Sequence, residues 1–278
     1  MDQGSPRVSI VTVVRNGAAT IERAIRSVLG QTCPAIEYII VDGASTDGTQ
    51  EIIRRYEGRL ARWISEPDRG ISDAFNKGVA LANGACIGLL NADDWMEPDQ
   101  VEIAVGALEA SGADFVFGDL IFHDAAGCPV HRITGDPHYA RHIRSRMPEV
   151  NHPTLLARRS MYERVGPFHL TYKAAMDYDW LLRAHLAGCR GHHEPRILGH
   201  MTLAGVSDRS YVRALREVRD IAIRHGQPPA QARALFAYRM LKGASQRGLK
   251  RLAPEPLYGL VRGLINRSYR PSRARAGD

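Results

Sequence analysis

Apolar runs of strand length alternate with segments of helical periodicity from Val8 to about Ala110. Val8–Val14 is rich in β-branched residues, which is typical of a strand buried on both faces. In the next segment, Ala19–Gln31, apolar residues recur at helical spacing. The pattern predicts strands at Val8–Val14, Ile36–Val41, Ala61–Ile64 and Ala85–Leu90, and helices at Ala19–Gln31, Thr49–Tyr56, Ile71–Leu81 and Pro98–Ala110. This alternation predicts an α/β fold with a mostly parallel sheet and helices on both faces.

The pattern after Ala110 is less regular. Two runs, Phe115–Phe122 and Pro129–Thr134, flank a polar turn and predict a hairpin. Further segments predict a strand at Thr154–Ala157, helices at Ser160–Val165 and Tyr178–Leu186, and C-terminal helices at Tyr211–His225, Pro229–Gln246 and Pro256–Asn266. We therefore expect one α/β domain over residues 6–205 and a basic helical extension over residues 206–278.

With 278 residues, of which 44% are hydrophobic, the chain can bury one sizeable core. Its four cysteines are far apart and form no CxxC pair, which favours reduced thiols over disulfides or a zinc site. The first seven residues have no apolar stretch, and no run approaches the roughly 18 apolar residues of a membrane span. These features predict a cytoplasmic protein without a signal peptide.

The net charge of +7 reflects a dense basic region towards the C-terminus. Asn266–Arg275 carries four arginines and no acid. Such a segment is typical of a solvated tail, but it also suits nucleic acid or an anionic membrane surface. The apolar and basic residues of Tyr258–Ile265 would lie on a membrane, or pack on the fold or on a dimer partner.

Two acidic turns follow predicted strands, at the edge where open parallel sheets bind ligands. Asn91-Ala92-Asp93-Asp94 follows the strand that ends at Leu90. Adjacent carboxylates repel each other, and a hard divalent cation such as Mg²⁺ or Mn²⁺ relieves that repulsion. Capping of the helix near Pro98 is the alternative for Asp94, because acids are favoured at helix N-termini.

The other turn, Val41–Thr49, places Asp42 at the end of a predicted strand. There a carboxylate can accept hydrogen bonds from a base N–H group or a ribose hydroxyl group. The polar residues Ser45–Asp47 also suit the cap of the following helix. Neither GxGxxG nor a Walker lysine motif is present, which argues against dinucleotide and P-loop sites.

A third polar segment, Glu66–Gly78, leads into the helix predicted from Ile71. Arg69 and Lys77 are placed to approach a diphosphate. Asp73 and Lys77 are also spaced as an ordinary i,i+4 surface pair, so a purely structural role stays open for Lys77.

Together these segments resemble the family 2 glycosyltransferases, which have the GT-A fold with its Rossmann-like sheet. The matching stretches are Val8–Thr12, Ser27–Thr32, Glu37–Thr49, Asp68–Gly78 and Gly88–Asp94, in the order and spacing of that family. The resemblance extends from about residue 6 to residue 190. It implies inverting transfer of a sugar from a nucleotide-diphosphate donor to a hydroxyl group of a glycan or lipid-linked acceptor, in polysaccharide or glycolipid biosynthesis.

The resemblance also implies roles for individual residues. Asp42 would contact the nucleotide base, with Thr12 and Arg15 lining the same pocket. Asp93 would be the main ligand of Mn²⁺ or Mg²⁺ in a DXD-like motif, with Asp94 as a second acid nearby. The other expected donor contacts are Arg69, Asp73, Asn91 and Ala92.

Two positions depart from the family pattern. Asn91 stands in place of the first acid of the DXD pattern, so that position supplies an amide oxygen without a charge. Phe75 stands where many relatives have an arginine. Contact with the diphosphate would then fall to Arg69, to Lys77 or to the metal.

Inverting transfer requires a carboxylate that takes the proton of the acceptor hydroxyl group. The family places it in a Glu-Asp pair at a helix start, and Met176-Asp177 is the counterpart here. Asp177 is the predicted base, and Asp179 is the alternative. A helix cap whose acid pairs with Arg183 is the structural interpretation of the same residues.

The region between Asn151 and Asp177 is expected to shape the acceptor site, with His152 and Tyr172 as candidate contacts. Three further histidines lack the spacing of metal ligands and are interpreted as ordinary core or surface residues: His192, His193 and His200.

The expected partners are a nucleotide-sugar donor and a glycan or lipid-linked acceptor, with an anionic membrane surface and a homodimer as further expectations. No nucleic acid partner is expected, and the site of action is the cytoplasm, including the inner face of the membrane. Two other functions stay open. A sugar-phosphate nucleotidyltransferase would need a richer phosphate loop than Arg15–Gly17 provides, and a catalytically degenerate nucleotide-binding scaffold is compatible with Asn91 and Met176.

Overall fold

The computed structural model describes residues 8–124, 126–202 and 211–252, which form a mixed α/β fold. Its strands are β1 (Val8–Val14), β2 (Ile36–Asp42), β3 (Arg62–Ser65), β4 (Cys86–Asn91), β5 (Trp95–Met96), β6 (Phe115–His123), β7 (Pro129–Ile133), β8 (Leu156–Arg158) and β9 (Gly191–Thr202). Its α-helices are α1 (Ile21–Leu29), α2 (Thr49–Arg54), α3 (Ile71–Leu81), α4 (Gln100–Ser111), α5 (Arg159–Val165), α6 (Met176–Leu186), α7 (Tyr211–Arg224) and α8 (Pro229–Leu252).

The strands form one sheet in the order β3-β2-β1-β4-β8-β6-β9-β5, with β7 paired to β6. β3, β2, β1 and β4 run parallel, as the strand–helix alternation predicts. From β8 onward the sheet is mixed, because β6 and β9 are parallel whereas the other pairs are antiparallel. The parallel arrangement ends at β8, which pairs antiparallel with both β4 and β6. The short turn between β6 and β7 explains why that pair is antiparallel as well.

Alternate residues of β1 face two core clusters on opposite sides of the sheet. Val11 and Val13 pack in the cluster that includes residues of α3 and α6. Ile10 and Val14 pack in the other, with residues of α1 and α4. The predicted α/β fold with helices on both faces is therefore confirmed, and the covering of both faces explains why β1 reads as one continuous apolar run.

Several elements differ from the sequence-based expectations. The helix expected from Pro98 begins at Gln100. Strands β5 and β9 were not predicted, because β5 has two residues and β9 is largely polar and interrupted by Pro195. The helix predicted at Pro256–Asn266 lies outside the described residues.

Helix α7 packs against α6 and α8. Val218 and Ile221 of α7 lie in the same core cluster as Tyr178 of α6. The first of the C-terminal helices therefore shares the core of the sheet, while the boundary predicted between residues 205 and 206 falls outside the described ranges. Within those ranges, none of the helices combines the length and the apolar character needed to cross a membrane.

Helix α3 approaches β1 so closely that only a glycine fits between them. A Cβ atom placed on Gly78 would collide with Cγ1 of Val11. The contact matters for the candidate site because α3 also carries Asp73 and Lys77.

We expect Gly78→Ala to lower the free energy of unfolding by about 1–3 kcal/mol, because the added methyl group displaces Val11 or the helix. Gly106→Ala in α4 is the matched control, since nothing lies within 4 Å of its added Cβ atom. The control should gain about 0.5–1 kcal/mol from the higher helix propensity of alanine. Urea denaturation measures both changes, and equal stability of the two variants would show that α3 does not depend on this close approach.

Candidate active site

The polar turns singled out from the sequence meet at the carboxyl edge of the parallel strands. Asp42 ends β2 and Asn91 ends β4, on either side of β1. The register pairs Asp42 with Val14 and Asn91 with Val13. Because neighbouring strands lie about 4.8 Å apart, the two residues are separated by about 10 Å across the sheet. One elongated ligand can therefore contact both turns.

Asp42 is fully buried, and its carboxylate accepts three hydrogen bonds. The donors are the Ser65 hydroxyl group at 2.6 Å, the main-chain N–H group of Ser45 at 3.1 Å, and the Ser45 hydroxyl group. The N-cap of α2 is Gly48, which makes no side-chain capping bond. Ser45 thus holds Asp42 in place rather than capping the helix.

The turns after β1 and β2 are hydrogen-bonded to each other. Asn16 N donates to Ser45 Oγ at 2.7 Å, and Gly17 N donates to Thr49 Oγ1 at 2.9 Å. Asn16 and Ala44 have φ angles of 52° and 56°, in the left-handed region that non-glycine residues rarely adopt. The hydrogen bonds hold both turns in this conformation, so the wall beside Asp42 is formed before any ligand binds.

The other residues predicted around Asp42 lie at different depths. Arg15 is exposed and forms no ion pair with any residue that the structure describes. Thr12 is fully buried, and its hydroxyl group is 3.0 Å from that of Tyr38. It therefore lies within the sheet, beneath the predicted nucleotide pocket. Asp68 was given no role from the sequence, yet its carboxylate lies against Gly43 where a Cβ atom would collide with it.

The acidic turn after β4 contains two buried oxygen atoms without a hydrogen-bond partner, Oδ1 of Asn91 and Oδ1 of Asp94. Asn91 Nδ2 donates to the other Asp94 oxygen at 2.9 Å. Asp94 is fully buried, and burial, followed by the charge of Asp93, raises its pKa well above the usual value. Capping of α4 by Asp94 is wrong, because that helix begins at Gln100 after Asp99.

These atoms fit a hard divalent cation. Buried oxygen atoms without partners are rare in proteins, and Mg²⁺ and Mn²⁺ bind oxygen ligands. Over the described part of the chain, no three His, Cys, Asp or Glu side chains are grouped so as to hold a metal ion. The donor set of Asp93, Asn91 and Asp94 therefore suits an ion that takes its remaining ligands from water and a diphosphate.

The side chain of Arg23 holds the acidic turn by binding the main chain of that turn. Arg23 Nη2 donates to the carbonyl oxygen of Asp93 and to Thr202 Oγ1, both at 3.0 Å. Its guanidinium group lies 3.6 Å from the centroid of the Trp95 ring, which stacks on His200. No spacing in the sequence indicates this contact, because it joins residues of α1, β5 and β9.

Arg69 and Lys77, the predicted diphosphate contacts, both lie beside Asp73. Arg69 Nη2 is 3.1 Å from Asp73 Oδ1, and its side chain is 74% exposed. The bonds from the main chain and side chain of Arg69 lower the pKa of Asp73. Lys77 Nζ is tied to Glu66 at 2.7 Å and to the carbonyl oxygen of Pro67 at 2.8 Å. Arg69 is therefore the better placed of the two cations to turn towards a ligand.

A cavity of about 450 Å³, counting its open mouth, lies in front of α6. Apolar side chains form most of its wall, and Asp177 and His152 are polar members. Phe75 packs against His152 with ring centroids 5.3 Å apart, so position 75 contributes apolar packing here instead of a charge. The cavity brings the predicted base and one predicted acceptor contact together.

Asp177 lies in the first turn of α6 and lines this cavity. Burial raises the pKa of Asp177 to about 6, and the charge of Glu217 acts in the same direction. The hydrogen bond from Tyr178 N, 2.8 Å long, opposes them. A carboxylate with this pKa is mostly ionised at neutral pH and is a stronger base than an ordinary aspartate.

Asp179, the alternative base, is fully buried and does not line the cavity. Arg183 Nε donates to its Oδ2 at 3.0 Å. His169 Nδ1 lies 3.0 Å from the same oxygen, and His225 Nε2 lies 3.6 Å from the other. The structural interpretation offered from the sequence, an acid at the helix start that pairs with Arg183, therefore applies to Asp179.

The two predicted acceptor residues lie in different places. His152 faces the cavity, burial lowers its pKa to about 4, and its Nε2 atom has no hydrogen-bond partner. Tyr172 is buried outside the cavity, with Arg224 over its ring at 5.9 Å from the centroid.

Two of the remaining histidines have protein partners. His193 Nε2 lies 2.8 Å from Asp119. His200 lies between His123 at 2.9 Å and Glu97 at 2.7 Å. Both belong to hydrogen-bonded networks within the sheet, in agreement with their interpretation as ordinary core residues.

The model of the family described as glycosyl transferase family 2 matches residues 9–166. The chain is 30% identical over 184 residues to a PGL/p-HBAD biosynthesis glycosyltransferase of Mycobacterium tuberculosis, covering 64% of this chain and 70% of the relative. It is 40% identical over 102 residues to the chondroitin synthase of Pasteurella multocida, covering 36% of this chain and 11% of that protein.

Two solved structures share the fold at low sequence identity. The S. aureus TarS 1–349 complex with UDP-GlcNAc has a TM-score of 0.61 and 18% identity, over 84% of this chain and 71% of that one. The mannosyltransferase PcManGT from Pyrobaculum calidifontis, in complex with GDP-Man and Mn²⁺, has a TM-score of 0.62 and 20% identity, over 95% and 80%. The chain spans 42% of a longer TarS structure. The likeness confirms the predicted GT-A fold.

We expect Asp179→Asn to lower the free energy of unfolding by about 3 kcal/mol, because Arg183 loses its buried partner. Asp177→Asn should change it by less than about 1 kcal/mol, because burial already disfavours the Asp177 carboxylate and the amide has a similar shape. Chemical denaturation of both variants at pH 7 measures the difference. If Asp177→Asn lowered the free energy of unfolding more than Asp179→Asn, Asp177 would be the structural acid and the assignment of the base would move to Asp179.

Proposed function

Because this chain belongs to glycosyl transferase family 2, we propose that it transfers a sugar from a nucleotide-diphosphate donor to an acceptor hydroxyl group, with inversion at the anomeric carbon. One feature of β4 carries the proposal. Leu89 lines the cavity that contains Asp177, and Asn91 of the acidic turn follows two residues later. Two residues span about 7 Å along a strand, so a sugar held at the acidic turn lies next to the base.

The donor would lie along the carboxyl edge of β2, β1 and β4. Asp42 would accept hydrogen bonds from the nucleotide base, with Arg15 and Asp68 beside it, and the exposed Arg69 would contact the diphosphate. The span of about 10 Å between the two turns supports this placement. The remaining proposed donor-site residues act from beneath or beside the ligand: Thr12, Asp73, Asn91 and Ala92.

The transfer step would use Asp177 as the general base. Its carboxylate would take the proton of the acceptor hydroxyl group while that oxygen bonds to the anomeric carbon and the bond to the diphosphate breaks. A divalent cation held by Asp93, with Asn91 and Asp94, would offset the negative charge of the leaving diphosphate. The raised pKa of Asp177 supports this role, because the group is ionised near neutral pH and still basic.

The acceptor would be a glycan or a lipid-linked glycan, in polysaccharide or glycolipid biosynthesis. The largely apolar wall of the cavity supports an acceptor with an apolar portion, and His152 would contact it. We leave Tyr172 out of this acceptor set because of its position outside the cavity. The basic C-terminal segment would bring the protein to an anionic membrane surface at the cytoplasmic face, where lipid-linked acceptors reside.

Isothermal titration of UDP, GDP and dTDP, each with and without Mn²⁺, tests the donor site. For one nucleotide, we expect Mn²⁺ to raise the affinity at least about tenfold, or 1.4 kcal/mol. Asp93→Ala should lose this gain, whereas Asp99→Ala, an exposed acid at the start of α4, should keep it. If folded protein binds none of the three nucleotides, the donor site is wrong and a non-catalytic scaffold role is favoured.

The pH dependence of transfer, measured with the nucleotide sugar that this titration identifies, tests the base. Asp177 acts when deprotonated, so kcat/KM should be level above pH 7 and fall tenfold per unit below a pKa of about 6. Asp177→Asn should lose activity by roughly 10²–10⁴-fold at every pH. A wild-type profile without an acidic limb above pH 5, or an active Asp177→Asn enzyme, would remove Asp177 from the reaction.

A further inference from the structure

Three consecutive main-chain N–H groups before α6 bind one carboxylate from another helix. The N–H groups of Lys173, Ala174 and Ala175 donate to Glu217 at 3.1, 2.8 and 2.9 Å. Successive N–H groups that converge in this way form an anion-binding concavity, and a helix N-terminus adds to the attraction. Glu217 lies on α7, beyond the residues 9–166 that the family model matches.

The stretch 172–176, here called the junction segment, connects the two halves of the site. Lys173 Nζ donates at 2.7 Å to the carbonyl oxygen of Arg69. Arg69 lies in the loop before α3 that is expected to meet the diphosphate, here called the donor loop. Ser72 Oγ, in the first turn of α3, lies 3.1 Å from Met176 Sδ. The junction segment thus touches the donor loop and α3, and Asp177 follows it directly along the chain.

Without Glu217, the three N–H groups immediately before α6 would lose their acceptor. No helical hydrogen bond is available to N–H groups at or before an N-cap, so side chains, water or ligands must satisfy them. Met176, the residue before Asp177, supplies no acid. The first turn of α6 carries Asp177 and Asp179, of which Asp179 is paired with Arg183, and Glu217 of α7 supplies the carboxylate for the N–H groups that precede the helix.

The charge of Glu217 also reaches Asp177, whose pKa it raises in addition to the larger effect of burial. The other titratable groups that line the cavity around Asp177 are His152, Tyr162 and Tyr178, and the rest of the lining is apolar. Burial keeps His152 neutral by lowering its pKa to about 4, and it raises the pKa of both tyrosines. Glu217, which lies outside the cavity lining, is thus a charged group whose effect on the pKa of Asp177 adds to that of burial.

We propose that Glu217 is a positioning residue for the transfer reaction, which fixes the junction segment and thereby the placement of Asp177 relative to the donor loop. The inference rests on the proposed role of Asp177 as base. It makes α7 part of the catalytic unit, although this helix lies in the region that the sequence assigned to a separate extension.

The test compares Glu217→Gln with Asp220→Asn, which changes an exposed acid of the same helix that pairs with Arg219. Nucleotide affinity, kcat and the pH profile of kcat/KM are measured for each variant. For Glu217→Gln we expect nucleotide affinity within about twofold of wild type and kcat lowered at least about tenfold. Its acidic limb should move down by about 0.5 pH unit, because a neighbouring negative charge is lost. The control should match wild type in all three.

A role in stability alone would lower kcat through loss of folded enzyme and leave the acidic limb in place, so an unmoved limb overturns the proposal. Unchanged kcat in Glu217→Gln would do the same. If that variant does not fold, Glu217→Asp replaces it. This shorter acid keeps the charge and should keep the wild-type limb with a lowered kcat, and wild-type kcat in Glu217→Asp overturns the proposal. An active Asp177→Asn enzyme marks failure of the proposed function itself, whatever the Glu217 variants do.

Discussion

Strand β1 is buried along its whole length between β2 and β4, and the position of every donor-site group depends on that arrangement. Its apolar side chains pack against helices on both faces, so a one-residue shift in register would exchange the residues of the two faces and disrupt the packing on each. The register in turn places Asp42 and Asn91 beside the last residues of β1. The distance between the two polar turns is therefore set by hydrophobic packing, before any polar interaction contributes.

Four aspartates in this framework differ in function because their surroundings differ. Asp42 is buried with three hydrogen-bond donors, and Asp179 is buried with Arg183, so both are held in place. Asp94 is buried with one oxygen unpartnered, which suits it to a cation. Asp177 faces a cavity without a compensating cation, and burial makes it basic. The partners around each carboxylate, more than its burial, decide which role it can take.

The features that could be predicted from the sequence are those that neighbouring residues encode together. β1 and α3 were predicted with their observed bounds, and the turn at Asp42 was placed correctly at a strand end. Periodicity cannot show which distant elements meet. The bonds from Arg23 to Asp93, and from the junction segment to Glu217, join residues far apart in the chain and follow only from packing. Likewise, the choice between Asp177 and Asp179 depends on which one faces the cavity.

The bond between Glu217 and the junction segment bears on how chains of this kind can diverge and recombine. Residues in contact do not contribute independently, so an exchange of C-terminal halves at residue 205 would separate the base from the acid that supports it. A hybrid would retain the chemistry only where the incoming helix also presents an acid to the same N–H groups. The sheet together with α7 is thus the unit that such an exchange would have to keep intact.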